Sequence, residues 1–350
     1  MVDYIVVGLG LAGLSFCETL KKNGKTFIVM SDDSQTSSKV AGGLYNPVIL
    51  KRFTLSWRAP EQLKTANVFY SDLETRLGVD FNLELPVLRR FASTEEQNLW
   101  FEATDKTSLS PYLSTELLQN GNTKIKATLG FGKVLRTGRL NTKIVLESYK
   151  EWLLEHRLIK PGTFEYDRLN VEGEYLSYGD IKARNIVFAE GFGLKQNPYF
   201  NYLPLQGSKG EYLIVKSKGL KEKCAVKSSI FLIPLGNDLY QVGANYNSND
   251  KTNVPTQLGR HQLESQLKDL INCDYEIVDQ IAGVRPTVKD RRPLVGRHPV
   301  HKGFWVLNGF GSHGIMIAPW ASKALYGYIE NNEPLIAEMD VERFRSDWNT

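Results

Sequence analysis

Val6-Val7-Gly8-Leu9-Gly10-Leu11-Ala12-Gly13-Leu14 is the stretch that decides the fold. The run before it, Asp3-Tyr4-Ile5-Val6-Val7, has no polar alternation, the pattern of a strand buried on both faces in a parallel sheet. Gly8, Gly10 and Gly13 match G-x-G-x-x-G. Leu11, Leu14, Cys17 and Leu20 fall on one side of the helix that must follow, Lys21 and Lys22 sit at its end, and Gly24 stops it. Thr26 to Met30 reads as the next strand. In this strand–turn–helix–strand context the glycines describe a dinucleotide cradle. Gly8 permits the turn, Gly10 lets the backbone approach a pyrophosphate, and Gly13 lets the helix lie close to the strand. The N–H groups of the first helical residues, Leu11 and Ala12 among them, then face the anion.

The acid expected to hold a ribose belongs at the end of the second strand, where this chain has Ser31. Asp32 and Asp33 follow. Either the strand end is shifted by one residue, or Ser31 takes one hydroxyl while Asp32 supplies the carboxylate; Asp33 reads as a solvated turn. No base stands here, which argues against NADP.

Bulk properties set the outer limits. The 350 residues, 42% hydrophobic and 23% charged, suit a globular protein of two domains with a shared core. A net charge of +4 gives no strong case for nucleic acid as a partner. No apolar run reaches the roughly 18 residues of a spanning helix. Asp3 and the glycines do not fit a signal peptide, and Cys17, Cys224 and Cys273 form neither a disulfide framework nor a metal pattern. The cytoplasm is the expected compartment.

The opening motif does not separate NAD from FAD, but later stretches do. Ser37-Ser38-Lys39-Val40-Ala41-Gly42-Gly43-Leu44-Tyr45-Asn46-Pro47 resembles the second glycine loop of the D-amino-acid oxidase superfamily of flavoproteins. Thr137-Gly138-Arg139-Leu140-Asn141 and Ile186-Val187-Phe188-Ala189-Glu190-Gly191 resemble that superfamily's G-x-[ILV]-[DN] entry and its late strand ending in A-x-G. Ala282 to Thr287, Arg292 to Pro299 and Asn308 to Pro319 resemble its carboxy-terminal signature. The resemblance runs through nearly the whole chain in order. It implies non-covalent FAD, with Ser37, Ser38, Ala41, Gly42, Gly43 and Leu44 along the pyrophosphate and flavin, and Gly191 beside the cofactor. Gly309, Phe310, Gly311, Ser312, His313, Gly314 and Ile315 form the last contact. The residues agree: a glycine turn precedes a helix from about Ile315 to Ile329, whose positive end favours the charge of a reduced flavin and which is expected to lie beside the first strand.

The implied fold is α/β. A Rossmann-like FAD-binding domain with a parallel sheet, from 1–75, 130–198 and 285–350, is interleaved with a smaller substrate domain built on a largely antiparallel sheet, from 76–129 and 199–284. In the latter, Gly210–Val215, Ile230–Pro234 and Asp238–Gly243 are short aromatic and β-branched runs bounded by turns. They read as a sheet roofing the flavin. Glu95 to Asp105 reads as a flanking helix.

Members of the superfamily oxidise a C–N bond: a hydride passes from the carbon beside a neutral amine to flavin N5, and the imine hydrolyses. The resemblance places Arg285 at a substrate carboxylate, where a planar guanidinium grips two oxygens; the alternative is a structural ion pair. Ser229 and Phe231 stand where a similar glycine-oxidase strand carries His and Tyr over the substrate. Phe231 is therefore expected against the substrate without a hydroxyl. The Gly309–Gly314 turn, and Gly42 to Tyr45 with Pro47, are closer to the flavin half of the bifunctional enzyme that modifies a wobble uridine in tRNA. That relative acts on a glycine-like secondary amine. Both resemblances converge on an amino acid or N-substituted glycine as substrate, with O2 or another acceptor taking the electrons.

His313 contacts flavin or substrate, or is a hydrogen-bonded structural residue. Arg52, near Lys51, Trp57 and Arg58, steers an anionic substrate or belongs to a solvated face. His298 and His301 lack acidic or thiol companions, so no metal is expected. Three further readings are an FAD-dependent 2-hydroxy-acid dehydrogenase with His313 as base, a tRNA-modification-type flavin oxidoreductase needing a basic face, and a non-catalytic FAD-binding protein.

Overall fold

The computed structural model describes residues 1–349. Val2–Val7 lies at the middle of a parallel ladder, with Val6 facing Val29 on one side and Val187 on the other. Ile159–Pro161 extends the sheet beyond Phe27–Ser31, and Phe304–Asn308 extends it beyond Ile181–Phe188, both parallel. Leu294–Arg297 closes that edge in antiparallel fashion. Strands in such a sheet are covered on both faces, which is why Tyr4, Ile5 and Val6 are all fully buried without alternation. The helices Leu11–Lys22 and Gly314–Asn331 share the core on one face. Phe164, Phe188 and Phe200 fill the other.

The final helix does not lie beside the first strand, as its sequence position suggests. Ile181–Phe188 separates Phe304–Asn308 from that strand, so the helix meets the first helix instead. Its link to the first strand is the Tyr4 hydroxyl, which donates to Glu330.

A second sheet of eight strands runs in the order Glu276–Arg285, Ser208–Lys216, Leu239–Gly243, Phe231–Gly236, Ala225–Lys227, Val87–Arg90, Phe131–Val134 and Leu113–Leu118. Each pair is antiparallel except Ala225–Lys227 with Val87–Arg90. Period-two alternation divides its faces. Leu213, Val215, Leu232 and Val242 pack under the helix Gln257–Leu270. Ile233, Ala225 and Val87 turn to the opposite side, against Val48, Leu50 and Phe53. The strand Phe131–Val134 lies just past residue 129, and the strand ending at Arg285 carries this sheet to the start of the last cofactor segment. The flanking helix spans Thr94–Thr104, with the Ser93 hydroxyl accepting from the Glu96 N–H at 3.2 Å.

Among the described residues no helix is long and apolar enough to cross a membrane. Among the same residues no group of three or more His, Cys, Asp or Glu side chains is placed to hold a metal.

Candidate active site

Gly8 leaves the first strand at φ +98°, and its N–H donates to the Met30 carbonyl at 2.8 Å. A side chain there would meet the Ala189 carbonyl oxygen at 2.5 Å, and one on Gly13 would collide with the Gly8 carbonyl. Gly10 differs: it caps the helix in an extended conformation, with only the Ser38 side chain near the place of a Cβ. The Leu11 N–H donates to the Ser38 hydroxyl at 3.3 Å, so the second glycine loop meets the helix at its positive end, ahead of Ala12. Gly10 offers no capping side chain of its own, and no acid stands in the first turn of the helix. Its N-terminus is thus an electropositive end suited to a pyrophosphate.

The second strand ends at Ser31, with Asp32 the first residue beyond. Asp32 accepts from the Ser34 N–H and the Thr163 hydroxyl, each at 3.0 Å. Burial pushes its pKa up, but the hydrogen bonds from Ser34 and Thr163 outweigh it and hold the carboxyl below its usual range. Asp33 is exposed at φ +60° and pairs with Lys39 at 2.8 Å and with Lys150. The solvated turn expected there carries two lysines.

Glu190, absent from the sequence reading as a site residue, lies against Gly8 and accepts from the Tyr166 hydroxyl at 2.6 Å and Asn197 at 2.8 Å. Burial drives its pKa up to about 7; the hydrogen bonds from Asn197 and Tyr166 oppose this, and the Asp32 charge adds to it. Its sequence signal was the acid at the middle of A-x-G. Gly191 follows at φ +57°.

Ser37 and Ser38 open a short helix, Ser37–Val40, and Ala41 leads out of it. The Gly43 carbonyl accepts from the Leu140 N–H at 2.9 Å, and the Gly42 carbonyl accepts from Arg139 Nε at 3.2 Å. The strand Gly138–Leu140 thereby latches the loop where Leu44 begins its own strand. In the last turn Asn308 ties two cofactor-facing segments together. Its Oδ1 accepts from the Gly309 N–H at 2.8 Å, and its Nδ2 donates to the Gly191 carbonyl at 2.9 Å. Phe310 is buried, and the Gly311 N–H donates to the Pro286 carbonyl at 3.0 Å.

His313 caps the final helix through its backbone, its carbonyl accepting from the Ile317 N–H at 3.0 Å. Gly314 and Ile315 form the first turn, again without a side-chain cap. The His313 ring lies 3.2 Å from the exposed Ser312 hydroxyl. The surrounding protein desolvates the ring and lowers its pKa from the ordinary imidazole value.

The roof comes down on the second loop. Gln241 donates to the Val40 carbonyl at 3.0 Å, Ile233 and Tyr212 lie over Gly42, and Gly283 lies against Ser37 and Val40. Alternation puts Arg285, two residues past Gly283, on this same face. None of the ion pairs among the described residues involves Arg285, and its Nη1 is buried with no hydrogen-bond partner. The guanidinium lies against Gly210, with the Tyr246 ring centroid 4.7 Å from its Cζ. A structural Arg held by an acid does not match this arrangement.

Phe231 is registered with Gly243 and Lys227. Lys227 Nζ stands 4.8 Å from the Phe231 ring centroid, and burial together with Arg89 pushes that ammonium down to about 8. Ser229 lies in the turn before this strand. Arg52 is exposed on the turn joining Val48–Ile49 and Thr54–Leu55, while Arg58 is held by Glu61 at 3.5 Å and Glu338 at 3.8 Å.

Two helix N-termini without an N-cap side chain, a turn that a Cβ would block, a second glycine loop roofed by Ile233 and Tyr212, and an unpaired guanidinium on the same roof face are the parts of a dinucleotide-dependent redox site. These donors and cradles fit FAD. A family model described as FAD dependent oxidoreductase (DAO) matches residues 3–326, and the chain belongs to that family. Glycine oxidase of Bacillus subtilis (strain 168) is 24% identical over 353 residues, covering 95% of this chain and 94% of that protein. The tRNA 5-methylaminomethyl-2-thiouridine biosynthesis bifunctional protein MnmC of Shewanella sediminis is 27% identical over 208 residues, covering 46% of this chain and 28% of that protein. Among solved structures, glycine oxidase from Geobacillus kaustophilus superposes with a TM-score of 0.79 at 18% identity, covering 98% of this chain and 97% of that one. The protein is an FAD-dependent oxidoreductase.

Proposed function

We propose that this oxidoreductase acts on the C–N bond of an amino acid or N-substituted glycine-like amine, with Arg285 gripping the substrate carboxylate. The observation that carries the reading is the unpaired guanidinium on the roof face turned toward the second glycine loop. A buried donor without a partner costs about 1–3 kcal/mol, a cost that a bound carboxylate removes.

FAD, when bound, would supply the hydride-accepting N5 and pass the electrons on to O2 or another acceptor. The chain supplies orientation and charge. Arg285 fixes the carboxylate end. Phe231, Ile233 and Tyr212 cover the reacting carbon and keep water away, with the Tyr212 hydroxyl as a polar group on a face where Phe231 offers none. The positive end of the final helix and the Gly309–Ile315 turn would stabilise negative charge on a reduced flavin. On this reading the enzyme works in the cytoplasm, in keeping with three free cysteines.

Anaerobic flavin bleaching with amino acids, N-substituted glycines, carboxylate-free amines and 2-hydroxy acids tests the substrate class. Arg285→Ala is expected to slow bleaching at limiting substrate by roughly ten- to a hundred-fold, and Arg285→Lys by less, with FAD content unchanged. Loss of FAD or of folding in both variants would return Arg285 to a structural role.

A further inference from the structure

The segment between the strand Leu239–Gly243 and the helix Gln257–Leu270 crosses the roof as a strap pinned along its length. The buried Asn245 accepts from the Glu211 N–H at 2.8 Å, and Asn247 exchanges backbone hydrogen bonds of 2.9 and 3.0 Å with Lys209. The ammonium of Lys209, a fully buried residue, pairs with Asp250 at 2.5 Å and donates to the Val254 carbonyl. Glu211 accepts from the N–H and hydroxyl of Thr256, each at 2.7 Å.

Between the fixed points Asn245 and Asn247 stands Tyr246. Its residue surface is 73% exposed, and its ring contacts Arg285. A large aromatic held this far into water on a fixed backbone has no role in the core. The guanidinium already rests against Gly210, where any Cβ would collide with it. Its N–H donors radiate in its own plane, so a carboxylate meets the edge of the guanidinium with the Tyr246 ring beside it.

Resting on the carboxylate reading of Arg285, we infer that Tyr246 is a specificity-determining cap. It shields the ion pair from solvent and leaves room beside the carboxylate for an unbranched CH2, so that glycine units are taken in preference to acids branched at that carbon. The roof supplies the rest of the restriction, since Tyr212, Phe231 and Ile233 share the face on which Arg285 stands. The ring extends from a strap whose backbone is held on either side, at Asn245 and Asn247. Its removal opens the subsite without disturbing the sheet.

The probes are acetate and 2-methylpropanoate, titrated into the FAD-loaded protein and followed by the perturbation of flavin absorbance. Wild type is expected to bind acetate at least about tenfold more tightly than 2-methylpropanoate, the lower end of the discrimination that even one of its two added methyl groups meets in a closed pocket. Tyr246→Ala should weaken acetate and bring the ratio to within about threefold, while Tyr246→Phe keeps the wild-type ratio because the ring is retained. Melting temperature and FAD content should match wild type in both variants. An unchanged ratio in Tyr246→Ala, together with weakened acetate in Arg285→Ala, overturns the cap and leaves the carboxylate reading standing. Acetate binding that is absent from wild type or indifferent to Arg285→Ala overturns both.

Discussion

The two sheets of this molecule present functional atoms in different ways. In the parallel sheet the groups that face the cofactor are largely backbone, set by glycines a few residues apart in one turn. Gly8 and Gly13 matter because of what their Cβ atoms would strike, and one of those obstacles is the other's carbonyl. In the antiparallel roof the groups are side chains, and their places depend on register between distant strands: Ser208 faces Arg285, and Tyr212 faces both Gly243 and Ile281. The glycine turn is therefore spelled out in one short stretch of sequence, whereas the side chains of the roof face are brought together only by distant strands. The roof can change its chemistry without disturbing the cradle, which is how Ser229 and Phe231 can depart from the glycine-oxidase pattern on an otherwise matching scaffold.

The sharpest break would come inside the cradle. Gly13→Ala forces the first helix off the first strand, an overpacking cost of about 3 kcal/mol, and is expected to give colourless or insoluble protein. Gly10→Ala meets only the Ser38 side chain, near 3.1 Å, and is expected to stay folded with reduced yellow colour. The ratio of flavin to protein absorbance and the melting temperature check both. Equal behaviour would remove the distinction between the two glycines.

A smaller effect is expected in the roof. Lys209→Met frees the strap, so residues 244–256 should become susceptible to limited proteolysis while the flavin stays bound. The same clamp is acid-labile. Lys209 and hydrogen bonds from Thr252 lower the Asp250 pKa to about 2, below the ordinary value near 3.9. Its contribution is complete above about pH 4 and is lost as the pH falls toward 2. Pepsin should cut the strap at the lower pH and spare it at the higher. Early loss of FAD in either experiment would couple the two sheets more tightly than their construction indicates.

The smallest effect belongs to the edge of the second strand. Asp32→Ala is expected to weaken FAD by roughly three- to tenfold, and Asp33→Ala to leave it unchanged, because Asp33 is committed to Lys39 and Lys150. Equilibrium dialysis of FAD against each variant measures this. Identical constants would move the ribose contact away from Asp32.

This contrast also explains what the sequence could and could not reveal. The strand, turn and helix around Gly8 to Gly13 are readable because the glycine spacing and the apolar pattern lie within one short stretch, even though the obstacle to a side chain on Gly8 is the distant Ala189. The antiparallel runs are readable from their β-branched and aromatic content. Arg285 and Gly42 stood in recognisable motifs. Tyr212, Gln241 and Tyr246 did not, since nothing adjacent to them in sequence says which face they occupy. Asn308 was read only as the start of a glycine turn, because its second partner, Gly191, lies 117 positions away. Glu190 went unnoticed although its charge interrupts an otherwise apolar strand end. The final helix was misplaced for the related reason that strand order, and not chain order, decides its neighbour.

That helix has a consequence for how the protein is made. The cradle at Gly8 to Gly13 is synthesised well before the segments it needs, since its strand pairs with residues 181–188 and its helix packs against residues 314–331. Partners so remote impose a large loop-closure cost before any contact forms, so the nucleotide site is among the last parts to assemble. On the ribosome the apolar strand Val2–Val7 and the helix after it wait for much of the chain to emerge, a period in which they are exposed to aggregation. FAD, which binds only the closed cradle, would then act late in biogenesis, pulling nearly complete chains into the native state by mass action.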